Sequence, residues 1–188
     1  MRELVRYLLK NCQAFHEQDW ETQGIGFLRL RVGPNTRLHI WDSRLRTPGV
    51  SDVHDHTQWA FNSTIISGSL INTRYVCNES DVGKWTQATL NCGIGGGMIP
   101  GSTKRVELTP SVPEIYGEGD AYTQQPDEIH RTTAMDGTVT LLRQERKDTG
   151  TARVFYPHGS AWGDATPRVA NRNEVEEVCA YALSVFGE

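Results

Sequence analysis

Apolar residues recur along this chain at two different periods, and the change of period divides it into three stretches. Near the N-terminus, Leu4, Val5, Leu8, Leu9, Cys12 and Phe15 fall at helical spacing with Arg, Glu and Lys between them, which predicts a helix within residues 1–20. Near the C-terminus, Val175, Val178, Cys179, Ala182 and Phe186 repeat that spacing. Asn171 or Asn173 supplies a start signal and Gly187 a stop, so a second helix is expected over 171–186. Between them, over 25–157, the period falls to two. Leu28, Leu30 and Val32 oppose Phe27, Arg29 and Arg31, and Leu38 and Ile40 oppose Arg37, His39 and Trp41. Further strands are expected over Ala60–Ile66, Leu70–Cys77, Lys84–Leu90, Lys104–Leu108, Tyr122–Gln125, Ile129–Ala134, Val139–Gln144 and Arg153–Tyr156. Many short strands punctuated by Gly, Pro and Asn predict an all-β sandwich or barrel flanked by two helices, in one domain over 1–188. The run Gly93–Gly101 reads as a flexible loop, because it does not open a helix as a nucleotide-binding glycine fingerprint does.

Composition narrows the function classes. A formal charge of −4 without runs of like charge gives no electrostatic reason to expect nucleic acid or an anionic membrane as partner. No apolar stretch approaches the ~20 residues of a membrane-spanning helix, and the start MRELVRYLLKN is too charged for a secretory signal. Cys12, Cys77, Cys92 and Cys179 are scattered with no C-x-x-C pair, which fits reduced thiols and a cytoplasmic location.

The chemistry concentrates in the histidines. Val53–Gly68 reads VHDHTQWAFNSTIISG. In an extended chain His54 and His56 project from one face, where two imidazoles can grip one metal ion. Further on, Gly119–His130 reads GDAYTQQPDEIH, a glycine turn, a strand, a proline turn and a histidine entering another strand. Together these segments resemble the two motifs of the cupin superfamily. The first is a glycine, H-x-H, a glutamate three or four residues on and a later glycine; the second is a glycine, a proline turn and a third ligand histidine. The resemblance implies a double-stranded β-helix, or jelly-roll barrel, and His54, His56 and His130 as metal ligands. The family's glutamate falls at Ala60 or Phe61, neither of which coordinates, so the implied site is all imidazole.

Three histidines without a carboxylate are the arrangement of the cysteine or thiol dioxygenase branch, and HIWDSRLRTPGVSDVHDHTQWAF is similar to that branch's strand, loop and H-D-H-T turn. The resemblance implies a mononuclear non-haem Fe(II) dioxygenase using O2 and a small thiol, with Ni, Mn, Zn or Cu as other metals such a site accepts, and a homodimer as a family expectation. The alternatives are a cupin enzyme of other chemistry, such as an isomerase or another dioxygenase, and a non-catalytic cupin that binds a small molecule. An upstream arginine binds the substrate carboxylate in that branch. Arg29 and Arg31 are the candidates here, with a solvated strand face as the other reading. The branch's catalytic tyrosine, seventeen residues beyond the third histidine, is replaced by Lys147, and the histidine near it by Glu145. Tyr122 and Tyr156 are candidate substitutes, and Arg143, alternating with Glu145, a candidate polar contact. Trp41 and Trp59 flank the presumed site, as core packing or as an apolar wall beside the metal; His39 is expected as a half-buried strand residue, with the pocket mouth as the other reading; Glu128 shares a face with His130 as a second-choice ligand, and a tight turn at Pro126–Glu128 would break that parity.

Overall fold

The computed structural model describes residues 1–56, 59–92, 98–146, 152–164 and 166–186. The chain runs α1 (Arg2–Lys10), β1 (Trp20–Gln23), β2 (Ile25–Arg31), β3 (Thr36–Arg46), β4 (Val53–His54), β5 (Trp59–Ser67), β6 (Ser69–Glu79), β7 (Trp85–Cys92), β8 (Met98–Pro110) and β9 (Glu114–Gly117). It continues through β10 (Ala121–Gln124), β11 (Ile129–Ala134), β12 (Val139–Arg146), β13 (Ala152–Pro157), β14 (Arg168–Val169) and α2 (Arg172–Val185). The strands form two antiparallel sheets, ordered β10-β5-β12-β3-β2-β1-β14 and β11-β4-β13-β7-β8-β6-β9. A further pairing of β11 with β6 turns the second sheet back on itself.

The period-two pattern is realised in the first sheet. Leu28, Leu30, Leu38 and Ile40 pack with Val5 and Leu9 of α1, Val175, Val178 and Ala182 of α2 and its C-cap Phe186 into one apolar cluster. Each such side chain taken from water contributes about 1.5–3 kcal/mol, so the terminal helices anchor one face of the sheet. The opposite face, carrying Phe27, Arg29, Arg37, His39 and Trp41, borders a cavity between the sheets.

The helix boundaries follow from local capping. The N-terminal helix stops at Lys10 rather than continuing toward residue 20, because the Asn11 side chain donates to the Tyr7 carbonyl at 2.8 Å and closes its last turn. Short 3-10 turns follow, and Trp20–Gln23 is a strand with Trp20 and Thr22 buried. Asn171 caps α2 through a full capping box with Glu174. Gly187 and residues 93–97 lie outside the described residues, but Met98–Gly101, read from sequence as loop, belongs to β8 and pairs with β7. Backbone pairing overrides the weak strand propensity of Pro100 and Gly101.

Two turns carry the chain between the sheets and present the site. Gly68, between β5 and β6, has φ +83°, and a Cβ there would lie 2.5 Å from Thr138 Oγ1, so only glycine fits. The second turn, between β10 and β11, contains Asp127 at φ 63° and delivers His130. Among the described residues no helix is long and apolar enough to cross a membrane, and Cys12, Cys77 and Cys179 are free thiols.

Candidate metal centre

His54 and His130 face each other because β4 and β11 pair antiparallel with these two residues as direct partners. His56 follows two residues on, with its side chain on the same side as His54. The intervening Asp55 points away and is buried, accepting a 2.8 Å hydrogen bond from the Arg153 amide and pairing with the Arg153 guanidinium. Ring centroids lie 4.7 Å apart for His54–His56 and His54–His130, and 5.2 Å for His56–His130. One ligating nitrogen from each lies within 4.8 Å of the others.

Hydrogen bonds fix two of the tautomers. His54 Nδ1 is 3.1 Å from the Asp52 carbonyl oxygen and His130 Nδ1 is 3.0 Å from that of Glu128. A carbonyl only accepts, so each Nδ1 carries the proton and each Nε2 keeps its lone pair. His54 Nε2 lies 3.1 Å from His56 Nε2. A proton on His56 Nε2 satisfies that contact in the free protein, and a metal ion can take the proton's place. Metal–nitrogen bonds of ~2.1 Å set neighbouring donors ~3.0 Å apart at a right angle and ~3.4 Å apart in a tetrahedron. The His54–His56 pair already has such a spacing. The widest separation in the trio exceeds it, so binding entails an inward rotation of a ring.

All three imidazoles are held neutral. Burial lowers the pKa of His54, and that of His56 well below its usual value, where neighbouring His54, His130, Arg37 and His39 push it further. His130 falls to about 3, through burial and then the His54 charge. Neutral imidazole is the form that ligates, so this set fits a divalent ion of the imidazole-binding series. The same depression makes an acid prediction. The unfolded chain takes up protons near pH 6.5 while the folded trio does not, so stability contributed above that pH is lost as pH falls from about 6.5 toward 3. Denaturant midpoints of metal-free protein are expected to drop across that window. A flat profile would contradict the buried, neutral trio.

The trio lines a cavity of about 420 Å3. Trp41, Trp59, Phe61 and Tyr122 also line it. Phe61, not Ala60, faces the histidines, its ring centroid 5.5 Å from His56 and 6.1 Å from His130, so an aromatic edge stands where a fourth ligand was expected to be missing. Arg29 and Arg31 reach the cavity from β2, and Glu21, Arg29's cross-strand partner, accepts from both. Tyr122 is buried there, with its hydroxyl on Ser63 and Thr132, and burial raises its pKa. Arg143 is exposed and does not line the cavity, since its neighbours Leu142 and Gln144 take the inward positions on β12. Glu128 is likewise outside the ligand group. The tight turn swings its carboxylate back to accept from the Gln125 amide at 2.8 Å and from Gln124 at 3.1 Å. Lys147 lies outside the described residues, and Tyr156 does not line the cavity.

Arg37 lines the cavity although the sequence gives it no role, and His39, expected as a half-buried strand residue or a residue at the pocket mouth, lines it too. His39 lines the cavity with 8% exposure, stacked on Phe27 at 4.3 Å, and Arg37 lies beside it. Their inward side of β3 was legible, but nothing in the local sequence marked them as unpartnered. No family model and no curated protein matches the chain.

Proposed function

We propose that this chain is a metal-dependent enzyme built on a cupin jelly-roll barrel, a mononuclear non-haem iron dioxygenase that oxidises a small thiol. The observation that carries the reading is the trio of neutral imidazoles, without a carboxylate, on one wall of the cavity between the sheets. His54, His56 and His130 would hold the ion, and Fe(II) there would supply the activation of O2 for the net change R–SH + O2 → R–SO2H. An all-imidazole set leaves the ion's full +2 charge, which favours an anionic sulfur ligand over a neutral one. The two-sheet architecture with β11 closing against β6 supports a barrel of this kind.

The protein's own contributions are positioning and exclusion. Trp41, Trp59 and Phe61 wall the space beside the histidines and limit bulk water. The Tyr122 hydroxyl, kept protonated by burial, is a proton donor on the same cavity. Oxygen uptake by iron-loaded protein with a panel of small thiols tests the reading, alongside elemental analysis of protein purified without a histidine tag. Thiol-dependent uptake with one sulfinate formed per O2 is the expected result. Iron-loaded protein that consumes no oxygen with any thiol, where a control enzyme responds, would remove the dioxygenase assignment and favour a binding role.

A further inference from the structure

A run of buried polar side chains links the histidine His130 to the hydroxyl of Tyr122. On β10, Tyr122 and Gln124 alternate onto the buried face. On the second sheet, Thr132 of β11 stands directly opposite Asn72 of β6 and lines the cavity with His130, two residues earlier on the same strand. Gln124 and Asn72 are fully buried, and Thr132 and Tyr122 nearly so. These groups bond in sequence from sheet to sheet. Thr132 Oγ1 donates to Asn72 Oδ1 at 3.3 Å, and Asn72 Nδ2 donates to Gln124 Oε1 at 3.3 Å. Gln124 Nε2 then donates to the Glu128 carbonyl at 3.2 Å and to the Glu128 side chain at 3.1 Å. Tyr122 joins at the other end, its hydroxyl bonded to Thr132 and Ser63.

The donors in this run all point one way. A carbonyl only accepts, so Gln124 must turn its NH2 to the Glu128 carbonyl and its oxygen to Asn72. Asn72 then turns its NH2 to Gln124 and its oxygen to Thr132, and Thr132 spends its single proton on Asn72. Thr132 can therefore only accept from Tyr122, and in the free protein the phenol's proton rests there. Hydrogen bonds running head to tail in a low-dielectric interior strengthen one another, and reversing any one of these amides would set buried donors against donors. The run also ends on a shared atom. The Glu128 carbonyl accepts from Gln124 Nε2 and, at 3.0 Å, from His130 Nδ1.

We infer that Gln124 is a positioning residue that couples the two ends of the site: through the Glu128 carbonyl it holds the His130 ring in its ligating orientation, and through Asn72 and Thr132 it fixes the Tyr122 hydroxyl. The inference rests on the reading of His54, His56 and His130 as a metal centre. It adds that Tyr122 is not independent of that centre. With His130 ligated, its polarised Nδ1–H takes a larger share of the Glu128 carbonyl. Gln124 then leans on the Glu128 side chain instead, and the shift reaches Tyr122 through Asn72 and Thr132.

The test loads the full-length chain with Zn(II) and follows three probes by NMR: the side-chain amide 15N–1H signals of Gln124 and Asn72, and the 13C-labelled ring of Tyr122. Calorimetry on the same samples reads the affinity. Zn(II) should move both amide pairs and the ring together. Thr132→Val cuts the run beside Tyr122 and keeps the side chain's shape. It should leave Zn(II) affinity and the Gln124 shift in place while removing most of the ring shift. Gln124→Met should weaken Zn(II) ~10-fold, the lower end of what groups orienting a ligand contribute, and should detach the ring from metal loading. A tie that only held the sheets together would lower the thermal midpoint of these variants and leave the ring's response to Zn(II) unaltered. A full ring shift in Thr132→Val, or unchanged affinity in Gln124→Met, would therefore overturn the coupling. Should a variant not fold, the amide signals of the unaltered chain decide, and signals that stay put on loading overturn it. A chain that takes up neither Zn(II) nor Fe(II) sinks the metal centre and the coupling with it, whereas stoichiometric Zn(II) uptake with unmoved amide signals sinks the coupling alone.

Discussion

Replacing His130 by alanine is expected to abolish stoichiometric metal binding while leaving the chain folded. His54 and His56 then remain as a two-nitrogen chelate, because among the described residues only His130 joins them in the ligand group. Changes to groups that merely orient a ligand lower metal affinity ~10- to 100-fold, so loss of a ligand exceeds that. The fold is expected to tolerate the change. The histidine is 2% exposed, but its one protein hydrogen bond in the site runs from Nδ1 to the Glu128 carbonyl, and removing a group whose protonation is blocked by burial also relieves the acid sensitivity described above. Titration calorimetry with Fe(II) or Zn(II), and elemental analysis, read the outcome. Unchanged affinity in His130→Ala would exclude His130 as the third ligand.

Asp55→Ala is expected to cost about 2–3 kcal/mol of stability and, through it, metal affinity. Asp55 sits between two ligands and turns its side chain the other way, onto Arg153. Arg153 in turn donates to the Asp127 carbonyl at 3.2 Å and pairs with the Asp127 carboxylate at 3.6 Å, in the turn that delivers His130. One arginine therefore braces both ligand-bearing segments. Burial raises the Asp55 pKa more than Arg153 lowers it, so the charge itself contributes little and the hydrogen bonds contribute most. Asp55→Asn keeps one acceptor for the Arg153 amide but turns an amide N–H toward the Arg153 guanidinium, so it should cost about 1–2 kcal/mol, less than Ala. Urea midpoints compare the two variants, and no loss in Asp55→Asn would show that the second acceptor contributes nothing. Because Arg153 is 28% exposed, it can rehydrate when its partner is lost, which holds the Ala cost below that of a fully buried pair.

The local features of the site were legible in the chain. Alternation along Phe27–Val32 and Arg37–Trp41 assigned the correct residues to the apolar cluster and to the cavity, because side chains of an extended strand change sides at every step whatever lies across from them. The same rule put His54 and His56 together, and the position at which the cupin resemblance expects a glutamate holds Ala60 or Phe61. Asn171 announced its helix through a bond made within four residues.

What the sequence did not decide was who faces whom. His130 meets His54 only because β11 pairs with β4 in one register, and a slip of one residue would turn the ring away. Glu21 answers Arg29 and Arg31 from β1, a strand of which only Trp20 fell within the helix expected over 1–20 and whose other three residues had no assignment, so this pairing was invisible. Arg143 alternates as expected but on the outer side, and Glu128 lost its parity with His130 at the turn. The H-x-H pair was set by a period of two along one segment. Its third member and its brace at Arg153 were set by strand pairing across the two sheets, which no local pattern encodes.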